Sequence, residues 1–200
     1  MIEACVYCGG VPGDSRDHVP PQNLLRKPFR LNLRTVPACG KCNNGFSRDE
    51  EYFRRMLVTF FGASPEADEL FDGPVTRSLV RSPRLEDSLW NSLHHERHRV
   101  FVDLDVDAVR RVVEKIVRGL SYLRSGSRLD AKASFGLALY ERSDRPRAVK
   151  TALKDVAPNF DDGPNFSFHV VDKPDVHHET LWELCFFDAF CCAVGVRTGA

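Results

Sequence analysis

Four cysteines in two Cys-x-x-Cys pairs are the residues of this sequence best suited to chemistry. A tight turn within each pair directs both thiolates the same way, so two pairs can surround one metal ion. Four sulfur ligands at about 2.3 Å form the tetrahedral site that Zn²⁺ prefers. We therefore expect a structural zinc site, because four unrelated reduced cysteines would not share this duplicated spacing. The predicted zinc ligands are Cys5, Cys8, Cys39 and Cys42.

The insert between the two pairs carries a carboxylate and an imidazole on adjacent residues. It spans residues 9–38, which is longer than the roughly 15–20 residues between the pairs of a zinc ribbon. Asp17 and His18 precede Pro20 and Pro21, which exclude a helix and favour an extended chain. Adjacent side chains of an extended chain point in opposite directions. One of the two residues could therefore hold a metal ion while the other acts on a water molecule.

Asn43 directly follows the last cysteine, at the expected first turn of a helix. Zinc ligation by Cys39 and Cys42 would fix the direction of its amide group. Asp17 and Asn43 offer hard oxygen ligands of the kind that Mg²⁺ or Mn²⁺ binds, usually alongside several waters. An imidazole such as that of His18 can accept a proton near neutral pH. A base, a Lewis acid and cations that hold phosphates are what phosphodiester hydrolysis needs.

The order of these residues resembles that of the HNH, or ββα-metal, endonucleases, in the branch with four cysteines. The shared pattern is Cys-x-x-Cys, Asp-His-x-x-Pro, Asn and Cys-x-x-Cys-Asn, and it covers about the first quarter of the chain. The resemblance implies that His18 is the general base and that Asp17 and Asn43 bind a catalytic Mg²⁺ or Mn²⁺. It also implies that Asn32 or a neighbour is the middle Asn, and that cleavage leaves a 5′ phosphate and a 3′ hydroxyl.

Positive charge is concentrated around this motif, although the whole chain has no net charge. Residues 16–48 include seven basic residues and one acidic residue, an asymmetry typical of a surface that binds phosphates. We expect nucleic acid as the partner, with DNA favoured over RNA and no preferred site implied. A solvated loop with incidental charge is the alternative. The predicted nucleic-acid-binding residues are Arg16, Arg26, Lys27, Arg30, Arg34, Lys41 and Arg48.

The composition is that of an ordinary globular protein. Of the 200 residues, 42% are hydrophobic and 28% are charged, which is enough to bury a core and argues against disorder. No apolar run of about 18 residues predicts a transmembrane helix, and the first residues lack the features of a signal peptide. We therefore expect a soluble, cytoplasmic protein. Seven cysteines favour a reducing compartment, with Cys185, Cys191 and Cys192 as buried free thiols.

A helix is predicted after the second cysteine pair. Residues 47–50 (Ser-Arg-Asp-Glu) have the form of a capping box, in which the Glu side chain reaches back to the Ser amide. A start at Asn43 is the alternative. Apolar residues recur at helical spacing over 52–61 and predict a buried face that ends near Gly62.

Residues 62–98 carry weaker signals and are predicted to be a connector or a lid. Prolines interrupt this segment, and 75–80 is predicted as a short strand. His94, His95 and His98 would place two imidazoles on one helical face. A second metal site there would lack a carboxylate or cysteine partner, so we favour a solvated basic patch.

The second half predicts an antiparallel sheet packed on a helix, an α+β arrangement. Residues 99–104 alternate as a half-buried strand does. A helix is predicted from Asp105 or Asp107 to about Leu123, with an apolar, buried face formed by Val109, Val112, Val113, Ile116, Val117 and Leu120. Gly119 inside this helix indicates close approach of another backbone. The remaining predicted elements are strands at 135–140 and 166–171, a helix at 147–156, a turn at 177–179 and a hairpin at 181–196 around Asp188.

The predicted organisation is therefore a zinc-stapled ββα module at 1–61, a connector at 62–98 and an α+β domain at 99–200. The last part has no P-loop, dinucleotide-binding glycines or nucleophilic-serine motif; it could be a scaffold, a homodimer surface or a platform for a protein partner. The whole is expected to be a metal-dependent endonuclease. Two alternatives are a zinc module that binds nucleic acid or protein without cleavage, and an effector, for instance of phage defence, restrained by a partner.

Overall fold

The computed structural model describes residues 3–9, 12–29, 33–61, 64–97, 99–172 and 179–199. The predictions for Arg30, Asn32, Gly62, His98 and residues 177 and 178 fall outside these ranges. The strands are β1 (Ser15–Val19), β2 (Arg34–Ala38), β3 (Leu93–Glu96), β4 (Arg99–Val102), β5 (Ser134–Glu141), β6 (Phe160–Asp161), β7 (Phe166–Asp172), β8 (Thr180–Phe186) and β9 (Phe190–Arg197). The helices are α1 (Gly40–Gly45), α2 (Ser47–Met56), α3 (Pro65–Leu70), α4 (Thr76–Arg81), α5 (Pro83–Asn91), α6 (Val106–Ser125) and α7 (Arg147–Ala152).

A five-stranded antiparallel sheet forms one layer of the fold, and β1 with β2 and β3 with β4 form two separate hairpins. The order in the large sheet is β5-β9-β8-β7-β6. Phe187 and Asp188 connect β8 to β9 with φ angles of 53° and 55°, as both central positions of a type I′ turn require. The strands predicted at 99–104, 135–140 and 166–171 and the hairpin around Asp188 are confirmed. The sequence did not predict β6, which is only two residues long.

The longest helix, α6, packs against the sheet through the predicted apolar face. The Asp105 carboxylate accepts a hydrogen bond from the N–H of Ala108 at 2.9 Å and so caps the start of the helix. The helix ends at Gly126, whose φ of 71° lies in the left-handed region. The guanidinium of Arg110 donates to the carbonyl of Phe135 in β5. The residues predicted to be buried in this helix are all buried: Val109, Val112, Val113, Ile116, Val117 and Leu120.

One hydrophobic cluster joins the hairpin, the helices and the sheet. Its members include Val36 of β2, Phe53 of α2, Leu79 of α4, Ile116 of α6 and Leu184 of β8. The three segments predicted from the sequence therefore contribute to a shared core, and their boundaries stay a prediction. The fold is a mixture of helices and antiparallel strands, as the predicted fold class requires.

The segment from Pro65 to Asn91 is almost entirely helical, so the short strand predicted at 75–80 is wrong. Pro65 and Pro83 do not interrupt this segment, because each stands in the first turn of a helix, where its missing N–H is not needed. None of the helices in the described ranges combines the length and the apolar character that are needed to cross a bilayer.

His94 and His95 lie in β3 rather than on a helical face, which corrects the predicted arrangement of the histidines. The ring of His94 contacts a carboxylate oxygen of Asp103 at 2.6 Å. Because neighbouring residues of a strand point to opposite faces, these two imidazoles do not converge on one ion.

The capping box predicted at 47–50 does not form. The Ser47 hydroxyl donates to the carbonyl of Asn44 at 2.8 Å, and Glu50 turns inward and is buried. Only Phe46 separates α1 from α2. The helical run thus begins at Gly40, close to the alternative start at Asn43.

Cys185 and Cys191 form a disulfide, so the prediction of free thiols is wrong for this pair. The two residues are direct cross-strand partners in β8 and β9, with Cα atoms 4.2 Å apart. This register is a long-range property that cysteine spacing alone does not specify. Cys192 points to the opposite face of β9 and is a buried free thiol.

Gly119 of α6 receives the side chain of Val19 from β1. A β-carbon added at Gly119 would lie 2.6 Å from Cγ2 and 3.0 Å from Cγ1 of Val19, well inside the roughly 3.5–4.0 Å optimum for two carbon atoms. The close approach predicted from Gly119 therefore exists, but a side chain makes it rather than another backbone. This contact places the end of the first hairpin against the long helix.

We expect Gly119→Ala to destabilise the protein by about 1–3 kcal/mol, the usual cost of overpacking, even though alanine favours a helix by about 1 kcal/mol over glycine. Gly45→Ala in α1 is the matched control, because among the described residues nothing beyond its chain neighbours and its own helix backbone lies within 4 Å of the added β-carbon. The control should leave stability unchanged or raise it. Urea unfolding of zinc-loaded protein measures both changes. A Gly119→Ala variant as stable as the wild type would show that Val19 moves aside without cost.

Candidate metal centre and hairpin site

The four predicted zinc ligands come together beside the hairpin. Cys5 and Cys8 lie before β1, Cys39 is the cap of α1, and Cys42 lies in its first turn. All four Sγ atoms lie within 4.8 Å of one another, and those of Cys8 and Cys39 are 3.9 Å apart. Sulfur atoms bound at about 2.3 Å around a tetrahedral ion are about 3.8 Å apart. The donor set and its spacing therefore fit a structural Zn²⁺.

The backbone around Cys5 favours its thiolate form. Burial of the side chain opposes ionisation, but backbone N–H groups of Cys8 and Cys39 hydrogen-bond to the sulfur, and the resulting pKa of Cys5 is about 7. Burial, together with hydrogen bonds to the other sulfurs, raises the pKa of the Cys42 thiol. One ligand is thus close to its metal-binding form at neutral pH, and the positive charge of an ion would favour ionisation of the others.

Strand β1 presents Asp17 and His18 on opposite faces of the hairpin. Asp17 is buried, whereas His18 is partly exposed and its side chain has no hydrogen bond to another described residue. Asn43 of α1 approaches the same strand, with Nδ2 3.4 Å from Ser15 Oγ and 3.5 Å from the carbonyl oxygen of Arg16. The turn that carries the second cysteine pair therefore brings Asn43 to the strand that carries the Asp-His pair.

The carboxylate of Asp17 belongs to a buried network that the sequence did not predict. Lys115 Nζ lies 2.7 Å from Asp17 Oδ2 and 2.5 Å from Glu50 Oε1, and its side chain is only 1% exposed. The Tyr7 hydroxyl donates to the same Asp17 oxygen at 2.7 Å. One ammonium group thus connects β1, α2 and α6.

Two aromatic rings complete the surroundings of this ammonium. Lys115 Nζ lies 5.7 Å from the ring centroid of Tyr7 and 5.2 Å from that of Phe46, within the range of cation–π attraction. Burial, followed by the negative charge of Asp17, raises the pKa of Tyr7. Tyr7 therefore stays protonated and remains a hydrogen-bond donor to that carboxylate.

A signal for this network is present in the sequence. Lys115 interrupts the otherwise apolar stripe of α6, next to Ile116 and one helical turn from Val112. Likewise, Glu50 precedes Phe53 by three residues and so shares its buried face of α2. A charged residue on a buried helical face requires an opposite charge, so the two helices could have been paired through these residues.

Asp17 and Asn43 each keep one side-chain oxygen that accepts no hydrogen bond from a described residue. The contacts of the Asp17 carboxylate fall on Oδ2, and Oδ1 accepts no hydrogen bond from a described residue. Asn43 directs its Nδ2 to β1, and within the described ranges its Oδ1 accepts none either. Mg²⁺ and Mn²⁺ keep several waters and need few protein oxygens, so this donor set is suitable. Asn32, the third predicted residue, lies outside the described ranges.

Ion pairs neutralise part of the predicted basic surface. Arg16 pairs with Glu3 at 2.9 Å, and Arg26 pairs with Glu69 at 2.5 Å. The other predicted basic residues in the described ranges are exposed and have no ion pair with a described residue. These available cations are Lys27, Arg34, Lys41 and Arg48.

Comparison with known proteins found no match: no protein-family model, no curated protein sequence and no solved structure resembles the chain.

We expect Cys39→Ser to reduce the zinc content from about one ion per chain to nearly none, because the site loses one of its four thiolates. Cys192→Ala is the control, since Cys192 is a buried free thiol outside the cluster, and it should retain the ion. Elemental analysis of purified, dialysed protein measures both variants. A Cys39→Ser protein with a full complement of zinc would rule out this ligand set.

We expect Lys115→Met to destabilise the protein by about 3–5 kcal/mol, because it leaves two buried carboxylates without their counter-charge. Arg111→Met is the control: it removes a half-exposed ion pair with Asp49, worth about 0–1 kcal/mol. Combining Lys115→Met with Asp17→Asn and Glu50→Gln should restore much of the loss, because no charge is then left unpaired. Urea unfolding gives all three values. Equal losses for Lys115→Met and Arg111→Met would contradict the buried network.

Proposed function

We propose that the chain is a metal-dependent endonuclease of the ββα-metal type that hydrolyses phosphodiester bonds of nucleic acid, preferentially DNA. One observation carries the proposal: the turn of the second cysteine pair places Asn43 against β1, the strand of Asp17 and His18. A carboxylate, an imidazole and an amide group thus lie on one hairpin and on the helix beside it. A purely structural zinc site would not require this combination.

His18 is the general base of the proposed reaction. It lies on the partly exposed face of β1, and no described residue occupies its ring nitrogens, so a water molecule can reach it. The imidazole would accept a proton from the water that attacks phosphorus. The divalent ion, held by Asp17 and Asn43, would supply Lewis-acid stabilisation of the phosphorane and of the leaving 3′ oxygen. The products would carry a 5′ phosphate and a 3′ hydroxyl.

Lys115 and Tyr7 would act as positioning residues in this site. Both bind Oδ2 of Asp17. These contacts would fix the orientation of the carboxylate and leave Oδ1 available to the ion. The nearby ammonium also weakens the attraction of Asp17 for another cation. We therefore expect the ion to bind firmly only together with a substrate phosphate, as Mg²⁺ often does.

The available cations would hold the nucleic-acid backbone. Arg34, Lys41 and Arg48 come from β2, α1 and α2, the elements of the proposed module, and their side chains are exposed. Contacts of this type bind phosphates irrespective of base sequence. The proposed enzyme would therefore cleave with little sequence preference.

A zinc-organised module that binds nucleic acid without cleaving it is the second candidate. The observation in its favour is the buried state of Asp17, whose side chain is 8% exposed and already paired with Lys115. If that carboxylate served only the buried network, the basic residues and the zinc site would still support binding. This candidate and the nuclease differ in the role of His18.

Nicking of supercoiled plasmid by zinc-loaded protein tests the proposal, with Mg²⁺, Mn²⁺ or no added divalent ion. We expect cleavage only with the added ion, and His18→Ala should slow it by about 10²- to 10⁴-fold, the usual contribution of a general base. His95→Ala is the matched control, because His95 is exposed on β3 and should cleave like the wild type.

Unchanged cleavage by His18→Ala would remove the base assignment. Plasmid binding by the wild type without cleavage, at full zinc occupancy and with either ion, would instead support the second candidate. Zinc content and unfolding curves of His18→Ala should match those of the wild type, since within the described ranges no hydrogen bond or ion pair joins the His18 side chain to the cysteine cluster or to the buried ammonium.

A further inference from the structure

A pocket of 210 Å³ opens where the first hairpin, the end of α6 and one edge of the sheet meet. Val19 and Pro20 form one wall, and Leu120 and Leu123 form another. The floor is the inner face of β7 and β8, next to the edge strand β6. Pockets for drug-sized ligands have volumes of roughly 300–1,000 Å³. This pocket is smaller, and its size suits a single planar ring system.

Aromatic rings dominate the floor of the pocket. Phe160 and Phe168 are cross-strand partners whose ring planes differ by 11° and whose centroids are 6.2 Å apart. Phe168 also lies 5.8 Å from the ring of Trp182. Phe160 and Phe168 are partly exposed. Partly exposed, aligned aromatic faces are suitable for stacking on a flat, conjugated ligand.

The rim of the pocket is polar and includes a positive charge. Arg34 is exposed and has no ion pair with another described residue. Arg124 is bound to both carboxylate oxygens of Asp172 at 2.8 and 2.5 Å, so Arg34 supplies the available charge. Asn159 uses Oδ1 to accept from the N–H of Val170 at 2.9 Å. An aromatic floor below a cationic rim matches a nucleotide, which joins a planar base to an anionic phosphate.

We infer that this pocket binds one unpaired base of a single-stranded nucleic acid, with an adjacent phosphate at Arg34. The inference rests on the nucleic-acid role proposed above but not on cleavage. Arg34 is the cross-strand partner of Val19, and the Cα atoms of Val19 and His18 are about 3.8 Å apart as in any trans peptide. The pocket therefore opens at the end of the hairpin that carries His18, whose side chain points to the face of β1 opposite that of Val19.

A pocket that binds an unpaired base would also make single-stranded nucleic acid a better ligand than a duplex. A base inside a duplex can enter such a pocket only after it is unpaired and unstacked, which costs a few kcal/mol. A single strand does not have to break these interactions. The pocket therefore favours single-stranded, gapped or frayed nucleic acid over an intact duplex.

Binding of three short DNA ligands tests this inference: a single strand, the same backbone with abasic residues, and a blunt duplex. Fluorescence anisotropy is measured with zinc-loaded protein and without Mg²⁺ or Mn²⁺, so that the ligands stay intact. We expect the base-bearing strand to bind about 5- to 150-fold more tightly than the abasic strand, the range that stacking of one base on aromatic side chains gives. The duplex should bind more weakly than the base-bearing strand.

Matched variants test whether the difference in affinity between the base-bearing and the abasic strand comes from the pocket. Phe168→Leu removes a stacking ring but keeps an apolar side chain, and it should abolish the preference for the base-bearing strand. Phe135→Leu is its control, because Phe135 lies in β5 at the opposite edge of the sheet. Arg34→Gln should weaken binding of both single strands by the same factor, since it removes a phosphate contact. Unfolding curves confirm that each variant is folded.

Equal binding of base-bearing and abasic strands by the wild type, including undetectable binding of both, would overturn the inference. So would tighter binding of the duplex, or equal effects of Phe168→Leu and Phe135→Leu. Plasmid nicking combined with equal binding of the two single strands would contradict the base pocket and support the nuclease. Tighter binding of the base-bearing strand without nicking would support the base pocket and contradict the nuclease.

Discussion

The buried ammonium of Lys115 is the interaction on which the arrangement of the first hairpin, α2 and α6 depends. It lies between the carboxylates of Asp17 and Glu50, each on a different element. Any one of these three charges would be costly to bury alone, because the interior cannot replace the solvation that water provides. The elements must therefore dock together, in the one register that brings the charges into contact. A smooth apolar interface between the same elements would tolerate several registers.

The cysteine cluster and the buried network constrain the hairpin in different ways. The cysteine cluster joins the segment before β1 to the start of α1, and it fixes local geometry near Asn43. Lys115 acts further along β1 and connects the hairpin to a helix of the second half. The insertion of Val19 at Gly119 adds a third contact, one helical turn beyond Lys115 on α6. The position of β1 is thus set by contacts with both halves of the chain, so the first hairpin is not structurally separate from α6.

Sequence patterns predicted the parts of this fold that local physics determines. Cysteine spacing predicted the four-cysteine cluster, apolar periodicity predicted α6, and alternation predicted β4. Two of the failures involve pairings between distant residues. The disulfide depends on the register of β8 with β9. Glu50 was predicted to cap its own helix, but it pairs with Lys115 of α6. Such pairings cannot be deduced from one element alone, because each requires knowledge of what packs against it. The strand predicted at 75–80 failed for a different reason, since the prolines on either side of it were taken as breaks in the chain. Pro74 lies inside a helical segment, and Pro83 begins a helix.

Asp17 is where the demands of folding and of the proposed chemistry compete. Two unit charges 4 Å apart interact by about 4 kcal/mol at an effective dielectric constant of about 20, so a divalent ion near Oδ1 would be repelled appreciably by Lys115. Glu50 offsets part of this repulsion, because it shares the ammonium. A substrate phosphate would offset more of it by adding negative charge on the other side of the ion. The same carboxylate can then serve both roles, since one oxygen holds the fold together while the other is available when substrate supplies the missing charge. In the proposed reaction the buried lysine would make ion binding conditional on nucleic acid, without any movement of the backbone.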